Sequence, residues 1–218
     1  AGLSSPDSEC LCYPKDGDYT RIVLQRLLPG DLRLRIASPA DLPALIRLEE
    51  FQPRGLQASE ATLLRRLAQH PGGQIVAIAC DTEHVVGAIY TQRLSTEASL
   101  LDCTVDDELQ LHDPVGRVVQ LLGLVAEPHV RTGLSGVGDA LRDFMLRQAQ
   151  LDASVDTVCG VTRCREFDLA GELSYEQHVS SASDFGLQFH LGAGAKLVQL
   201  VHGYRPAAVS NATNGVLI

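Results

Sequence analysis

The residues with the clearest chemical meaning form one stretch, Arg131-Thr132-Gly133-Leu134-Ser135-Gly136-Val137-Gly138. It lies between a Val- and Leu-dense segment, Arg117 to Ala126, and a helical pattern from about Val137 to Ala149 that turns Val137, Leu141, Phe144 and Met145 inward. At a strand-to-helix junction of this kind, exposed backbone N–H groups and the positive end of the helix dipole favour an anion, and a phosphate or pyrophosphate fits. The glycines stand at 133, 136 and 138 in mid-chain. A dinucleotide fingerprint needs G-x-G-x-x-G early in a βαβ unit with an acid about 20 residues on, and a P-loop needs Gly-Lys-Ser/Thr; neither is present. Taken alone, the loop also suits a plain helix-start turn.

Other candidates carry weaker signals. Thr162 ends a short strand, Thr157 to Thr162, where a hydroxyl can donate to a ligand or simply favour β structure. His190 stands between Phe189 and Leu191 on a helix read from Ser183 to Leu191, and suits a hydrogen-bonded structural histidine as well as a catalytic one. Arg205 precedes Pro206, as a surface arginine or a phosphate contact. His129, His178 and His202 read as structural or exposed. No metal is expected, because Cys10/Cys12 and Cys159/Cys164 match no standard zinc spacing.

The elements that must position these residues begin at Leu32. Residues 1–31 are polar, rich in turn formers, and read as an N-terminal arm or linker; 32–218 read as one domain. A strand from Leu32 to Ile36 precedes a helix started by Ser38-Pro39-Ala40-Asp41, and Ser59 caps a second helix stopped by Pro71-Gly72-Gly73. Gln74 to Cys80 and His84 to Thr91 form a hairpin, and Ser95 to Asp113 is polar with weak periodicity. After the glycine loop and its helix come the strand to Thr162, an irregular segment, the helix to Leu191 and a strand from Lys196 to His202. Asn214 to Ile218 reads as a turn and a strand cut off in progress, as in a piece of a longer polypeptide. This order predicts an α/β fold with a mixed sheet of α+β type.

Composition narrows the class. The 218 residues carry a formal net charge of −9, which excludes the extended basic field that nucleic-acid or membrane-surface binding needs. The chain is 45% hydrophobic, enough for one sizeable core. It has no apolar run of membrane-spanning length and no signal-peptide pattern, which predicts a cytoplasmic protein with its six cysteines reduced.

The glycine loop resembles the acyl-CoA pyrophosphate loop of the GNAT superfamily, Arg/Gln-x-x-Gly-x-Gly/Ala. Gly136-Val137-Gly138 matches its end, while Arg131 sits two residues earlier than the pattern. Three further stretches narrow the match: Gly160-Val161-Thr162-Arg163-Cys164-Arg165; Leu187 to Leu191 with Gly194-Ala195-Lys196; and Gly203-Tyr204-Arg205-Pro206 with Gly215 to Ile218. Together they resemble the GNAT-type decarboxylase domains in loading modules of polyketide synthases, of the curacin and gephyronic acid kind, over about residues 32 to 218.

The resemblance implies a GNAT acyl-CoA N-acyltransferase-like fold. It implies an enzyme that decarboxylates a malonyl- or methylmalonyl-type thioester, carried on CoA or on the phosphopantetheine of an acyl carrier protein, among neighbouring synthase domains. By motif the catalytic Thr and His fall on Thr162 and His190 and a functional Arg on Arg205; Arg131, Gly133, Ser135, Gly136, Val137 and Gly138 fall on the CoA-binding loop. The family's Trp before a Pro at the end of its first helix is here Gln52, before Pro53. The alternatives are an S-acyltransferase from CoA to the carrier, or a catalytically silent GNAT-like scaffold.

Overall fold

A computed structural model describes residues 32–128, 131–132, 135–208 and 212–218. The predicted arm, 1–31, lies outside the described residues. The elements are β1 (Leu32–Ile36), α1 (Leu42–Glu49), α2 (Glu60–Gln69), β2 (Gln74–Ala79), β3 (Val85–Leu94), β4 (Val118–Ala126), β5 (Arg131–Thr132), β6 (Ser135–Gly136), α3 (Val137–Leu151), β7 (Thr157–Thr162), α4 (Tyr175–Ser181), α5 (Phe185–Leu191), β8 (Gln199–Val201) and β9 (Gly215–Leu217). Seven strands form one mixed sheet in the order β1-β2-β3-β4-β7-β9-β8, as predicted in class.

Both faces of the sheet are covered, which explains why β2 reads as the unbroken apolar run Ile75 to Ala79 rather than an alternation. Val76 and Ile78 pack under α1 and α2 with Leu45, Leu48, Leu63 and Leu67. Ile75 and Ala77 face α3, against Val137, Leu141 and Met145. Helix α3 crosses β3 so closely that a Cβ on Gly87 would lie 2.6 Å from Val137 Cγ1, so only glycine fits there.

The Ser38 capping box starts a 3-10 turn, Pro39–Asp41, and α1 follows it from Leu42, so the helix begins later than the sequence suggests. Asp41 accepts the Ser38 N–H at 2.7 Å and also holds the Arg35 guanidinium through two bonds of 2.7 and 2.6 Å, tying the helix start to β1.

The feature that makes a site is a split in the sheet. Parallel β4 and β7 pair from Val118↔Thr157 to Leu121↔Gly160 and then part. Beyond that point β4 keeps only β3, while Val161 and Thr162 of β7 pair with Leu217 and Val216 of β9. At the parting point Tyr90 pairs with Gly123 but Thr91 with Leu121, leaving Leu122 as an extra residue in β4. Such a bulge bends and twists its strand and re-aims the residues after it.

Several predicted boundaries shift. The second hairpin strand runs to Leu94, the helix to Leu191 begins at Phe185 with Asp184 as its cap, and the strand read from Lys196 to His202 shortens to Gln199–Val201. The segment read as irregular contains α4. Gly215–Leu217 is strand β9, lying between β7 and β8. Among the described residues, no helix is long and apolar enough to cross a membrane.

Candidate active site

Where β4 and β7 part, a cleft of about 800 Å³ opens. Leu121 to Leu124 line one strand edge and Gly160 to Thr162 the other, so backbone groups no longer bridged by a ladder face the same space. Glu49 and Gln52 close it on the α1 side, Gly138, Arg142, Phe189 and His190 on the α3–α5 side, and Arg205 and Ile218 also line it.

The structure brings five of the predicted residues to this cleft: Gln52, Gly138, Thr162, His190 and Arg205. Thr162 is the last residue of β7, half-buried, its backbone in register with Val216. The Gln52 side-chain amide donates to the Leu124 carbonyl at 3.1 Å, so the residue in the place of the family's Trp lies against the β4 edge. Arg205 has a buried Nε without a hydrogen-bond partner among the described residues.

The glycine loop is more structured than a loop. Its ends pair as a small ladder, Arg131↔Gly136 and Thr132↔Ser135. Gly133 lies outside the described residues, as does His129, and so do the side chains of Arg131 and Ser135. Val137 can serve a ligand only through its backbone, because its side chain is core. The Gly136 N–H is already held by Asp139 Oδ2 at 3.1 Å, which leaves the first-turn N–H groups of α3 from Val137 onward as the donors for an anion. A Cβ on Gly138 would meet Leu124 Cδ2 at 3.2 Å, so glycine here keeps the helix start close to β4.

His190 is positioned from two sides. Asp184, fully buried, accepts N–H bonds from Glu166 at 2.7 Å and from Gly186 at 2.8 Å and so fixes the start of α5. Burial opposes its charge, but the N–H groups of Glu166, Arg165 and Gly186 and the His178 ring outweigh this and hold its carboxyl below the usual range. His178, 3.3 Å from Asp184, is thereby structural, and His202 is exposed. Cys164, His178 and Asp184 stand within 4.8 Å of one another through their ligand atoms, but the Asp184 oxygens are taken by these donors. From the other side Arg142 of α3 donates to the Phe189 carbonyl and lies 4.2 Å over the Phe189 ring. The Phe189 ring meets His190 edge-on at 5.0 Å. Burial, with Arg142 and Arg165 nearby, pulls the His190 imidazole down to about 4, so at neutral pH it is uncharged and offers one ring N–H.

Sequence reasoning missed much of the lining. Arg65, Arg66, Arg142, Arg163 and Arg165 join the expected Arg205 at the cleft against Glu49, Asp106, Glu108 and Asp139, a local excess of positive charge in an acidic chain. Burial, then Arg165 and Arg205, pull the Arg163 guanidinium below its ordinary value, as expected where cations crowd together. Beneath the split, Glu108 accepts from Tyr204 Oη and from Gln120 Nε2 at 3.0 Å, with Arg66 at 3.9 Å. The motif Thr162-Arg163-Cys164-Arg165 was the available signal for Arg163 and Arg165; nothing local marked Arg65, Arg66, Arg142 or Glu108.

The depressed His190 has a consequence for stability. Unfolded, the imidazole takes up a proton near its ordinary 6.5; folded, only near 4. The unfolded state therefore binds more protons in that window, and stability present above pH 6.5 is lost as pH falls toward 4. Glu49 and Glu108, both raised by burial, act in the opposite direction, so the comparison that isolates His190 is with His190→Gln. Denaturant melts at pH 7 and 4.5 are expected to show wild type losing about 2–3 kcal/mol relative to that variant. Equal losses would mean that His190 titrates normally.

A mixed sheet split between two parallel strands, with a glycine-rich turn opening the helix beside the split, defines the GNAT fold. No family model and no curated protein matches the sequence. Among solved structures, the GphF GNAT-like decarboxylase in complex with isobutyryl-CoA is 39% identical with a TM-score of 0.80, over 85% of this chain and 96% of that one. The loading GNATL domain of CurA from Lyngbya majuscula is 33% identical with a TM-score of 0.78, over 86% and 96%. Ard1 from Thermoplasma volcanium, 17% identical with a TM-score of 0.57 over 85% and 94%, shares the fold alone. The chain belongs to the GNAT-like decarboxylase family of polyketide synthase loading domains.

Proposed function

We propose that this protein decarboxylates a malonyl- or methylmalonyl-type thioester, carried on CoA or on an acyl carrier protein, to supply the starter acyl group of a polyketide. The carrying observation is the cleft at the split, where Thr162 and His190 line one space with a surplus of arginines, in a chain 39% identical to a GNAT-like decarboxylase. The open strand edges suit the amides of a pantetheine arm, and the first turn of α3 and the arginines suit its phosphates. Arg205, which also lines the cleft, is read as a contact for substrate or carrier.

The chemistry asks for what the cleft offers. Breaking the bond between Cα and the carboxylate releases CO2 and leaves its electron pair as a thioester enolate. Donors aimed at the thioester oxygen stabilise that charge by roughly 3 kcal/mol each. The Thr162 hydroxyl and the uncharged His190 N–H are the two proposed donors, and His190 gives up no proton to serve in this way. Mass spectrometry of malonyl- and methylmalonyl-loaded CoA and carrier tests the reading. Transfer of an intact acyl group to the carrier without CO2 loss would make the protein an acyltransferase instead, and failure to bind CoA would make it a scaffold.

Gln52, in place of a bulky aromatic, leaves room over the β4 edge, so α-branched acyl groups should be accepted at least as well as malonyl. Gln52→Trp is expected to lower turnover of the methylmalonyl substrate about tenfold relative to the malonyl one, since forcing extra volume against a methyl costs about 1–3 kcal/mol. Paired kinetics check this; an equal response of both substrates would remove Gln52 from the acyl pocket.

A further inference from the structure

Loss of CO2 completes only half of the reaction, since the enolate carbon must still receive a proton, and the donors placed on the thioester oxygen do not supply one. We propose that the Glu49 carboxyl delivers the proton to Cα. This rests on the decarboxylase reading above. In the step, the C=C pair of the enolate forms the new C–H bond, the O–H bond of Glu49 breaks, and the acyl thioester and a Glu49 carboxylate result; the carboxylate is then reprotonated from water.

Four observations support the assignment. Glu49 ends α1 and lines the cleft. Its carbonyl accepts the Gln52 N–H at 2.9 Å, and the Gln52 side chain in turn reaches the Leu124 carbonyl on the β4 edge, so the end of α1 that carries Glu49 belongs to the wall that faces the split. Although only 6% exposed, it has one oxygen fixed by the Ala58 N–H at 2.8 Å, and its other oxygen has no hydrogen-bond partner among the described residues. Burial raises its pKa, which favours the protonated form a donor needs, while the Ala58 N–H and the charge of Arg66 oppose the rise and stabilise the carboxylate left after transfer.

The competing acids at the cleft are otherwise engaged. Glu108 is held by Tyr204 and Gln120. Asp139 caps α3 and pairs with Arg142 at 3.1 Å, and Asp106 is exposed. Tyr90, also at the cleft, feels the charge of Glu49 and carries a buried hydroxyl without a partner among the described residues, but burial and Glu49 push its pKa far up, making it the weaker acid.

The test is stereochemical. Methylmalonyl-CoA is decarboxylated in D2O, and the configuration at Cα of the monodeuterated propionyl-CoA is read. Wild type is expected to give one configuration. Glu49→Gln is expected to lower turnover roughly 10- to 100-fold and to give both configurations, because solvent then protonates the enolate from either face. Retention of one configuration in this variant would overturn the proposal. So would complete loss of CO2 release with isobutyryl-CoA affinity intact, which would place Glu49 in the bond-breaking step. Should Glu49→Gln fail to fold, Glu49→Asp, which withdraws the acid by one methylene, is expected to give a mixture, and a single configuration at wild-type rate would count against Glu49. Absence of CO2 release by wild type would strike the decarboxylase reading itself, a distinct outcome.

Discussion

Thr162→Val and His190→Ala are each expected to slow decarboxylation by about two to three orders of magnitude, the range for removing one oxyanion donor, while CoA affinity barely changes. The separation follows from where the groups sit. The anion-binding turn opens α3, whereas Thr162 ends β7 and His190 belongs to α5, so neither side chain is part of the turn that offers its N–H groups to the phosphates. If the two donors act as one unit, the double variant should be little worse than the poorer single one. Because Phe189 and Arg142 pack beside His190, His190→Gln is the control for packing. Single-turnover CO2 release and isothermal titration with isobutyryl-CoA check both halves. Near-normal decarboxylation in the folded double variant would remove the pair from the mechanism.

The largest expected effect on stability lies in a residue the chemistry does not use. Glu108 is 1% exposed and is the shared acceptor for Tyr204, itself buried, and Gln120, with Arg66 alongside. Gln92 donates to its carbonyl at 2.8 Å and to Gln120 Oε1 at 2.7 Å, so the network runs from β3 across β4 to the segment after β8. Burial drives the Glu108 pKa up, opposed by Tyr204, Arg66, Arg205 and Gln120. Glu108→Ala leaves these donors buried without an acceptor and is expected to cost about 3–5 kcal/mol. That corresponds to a fall in Tm of roughly 10 °C for a domain of this size. Thermal unfolding monitored by circular dichroism measures it. A loss below about 1 kcal/mol would mean that water replaces the carboxylate, and the network would not be a support of the split.

What was legible in the sequence was local. The junction of an apolar strand, a glycine turn and an amphipathic helix is written in neighbouring residues, and α3 and β7 stand where their patterns place them. Helix α4 was missed because only Tyr175 and Val179 are buried along its single stripe, too short a run to show a period. Its cap was readable, however: Ser174 and Gln177 exchange bonds of 3.2 and 2.8 Å, the pattern of a capping box. Glu108 could not be read at all. It sits in a polar stretch that forms short 3-10 turns, and it is buried by Tyr204, a partner 96 positions away. The site divides along the same line. Gln52, Thr162, His190 and Arg205 were reached through motifs, whereas Glu49, Tyr90 and Arg66 come from α1, β3 and α2 and meet only in the folded chain.

The central claim is carbon–carbon bond cleavage in this cleft, and the most direct measurement is mass spectrometry of the acyl-CoA pool after incubation of methylmalonyl-CoA with wild type and with the Thr162→Val/His190→Ala double variant. The account predicts conversion to propionyl-CoA with one CO2 released per turnover by wild type, and almost none by the folded double variant. Equal conversion of methylmalonyl-CoA by both proteins, or recovery of malonyl and methylmalonyl groups intact from wild type on both CoA and the carrier protein, would contradict it.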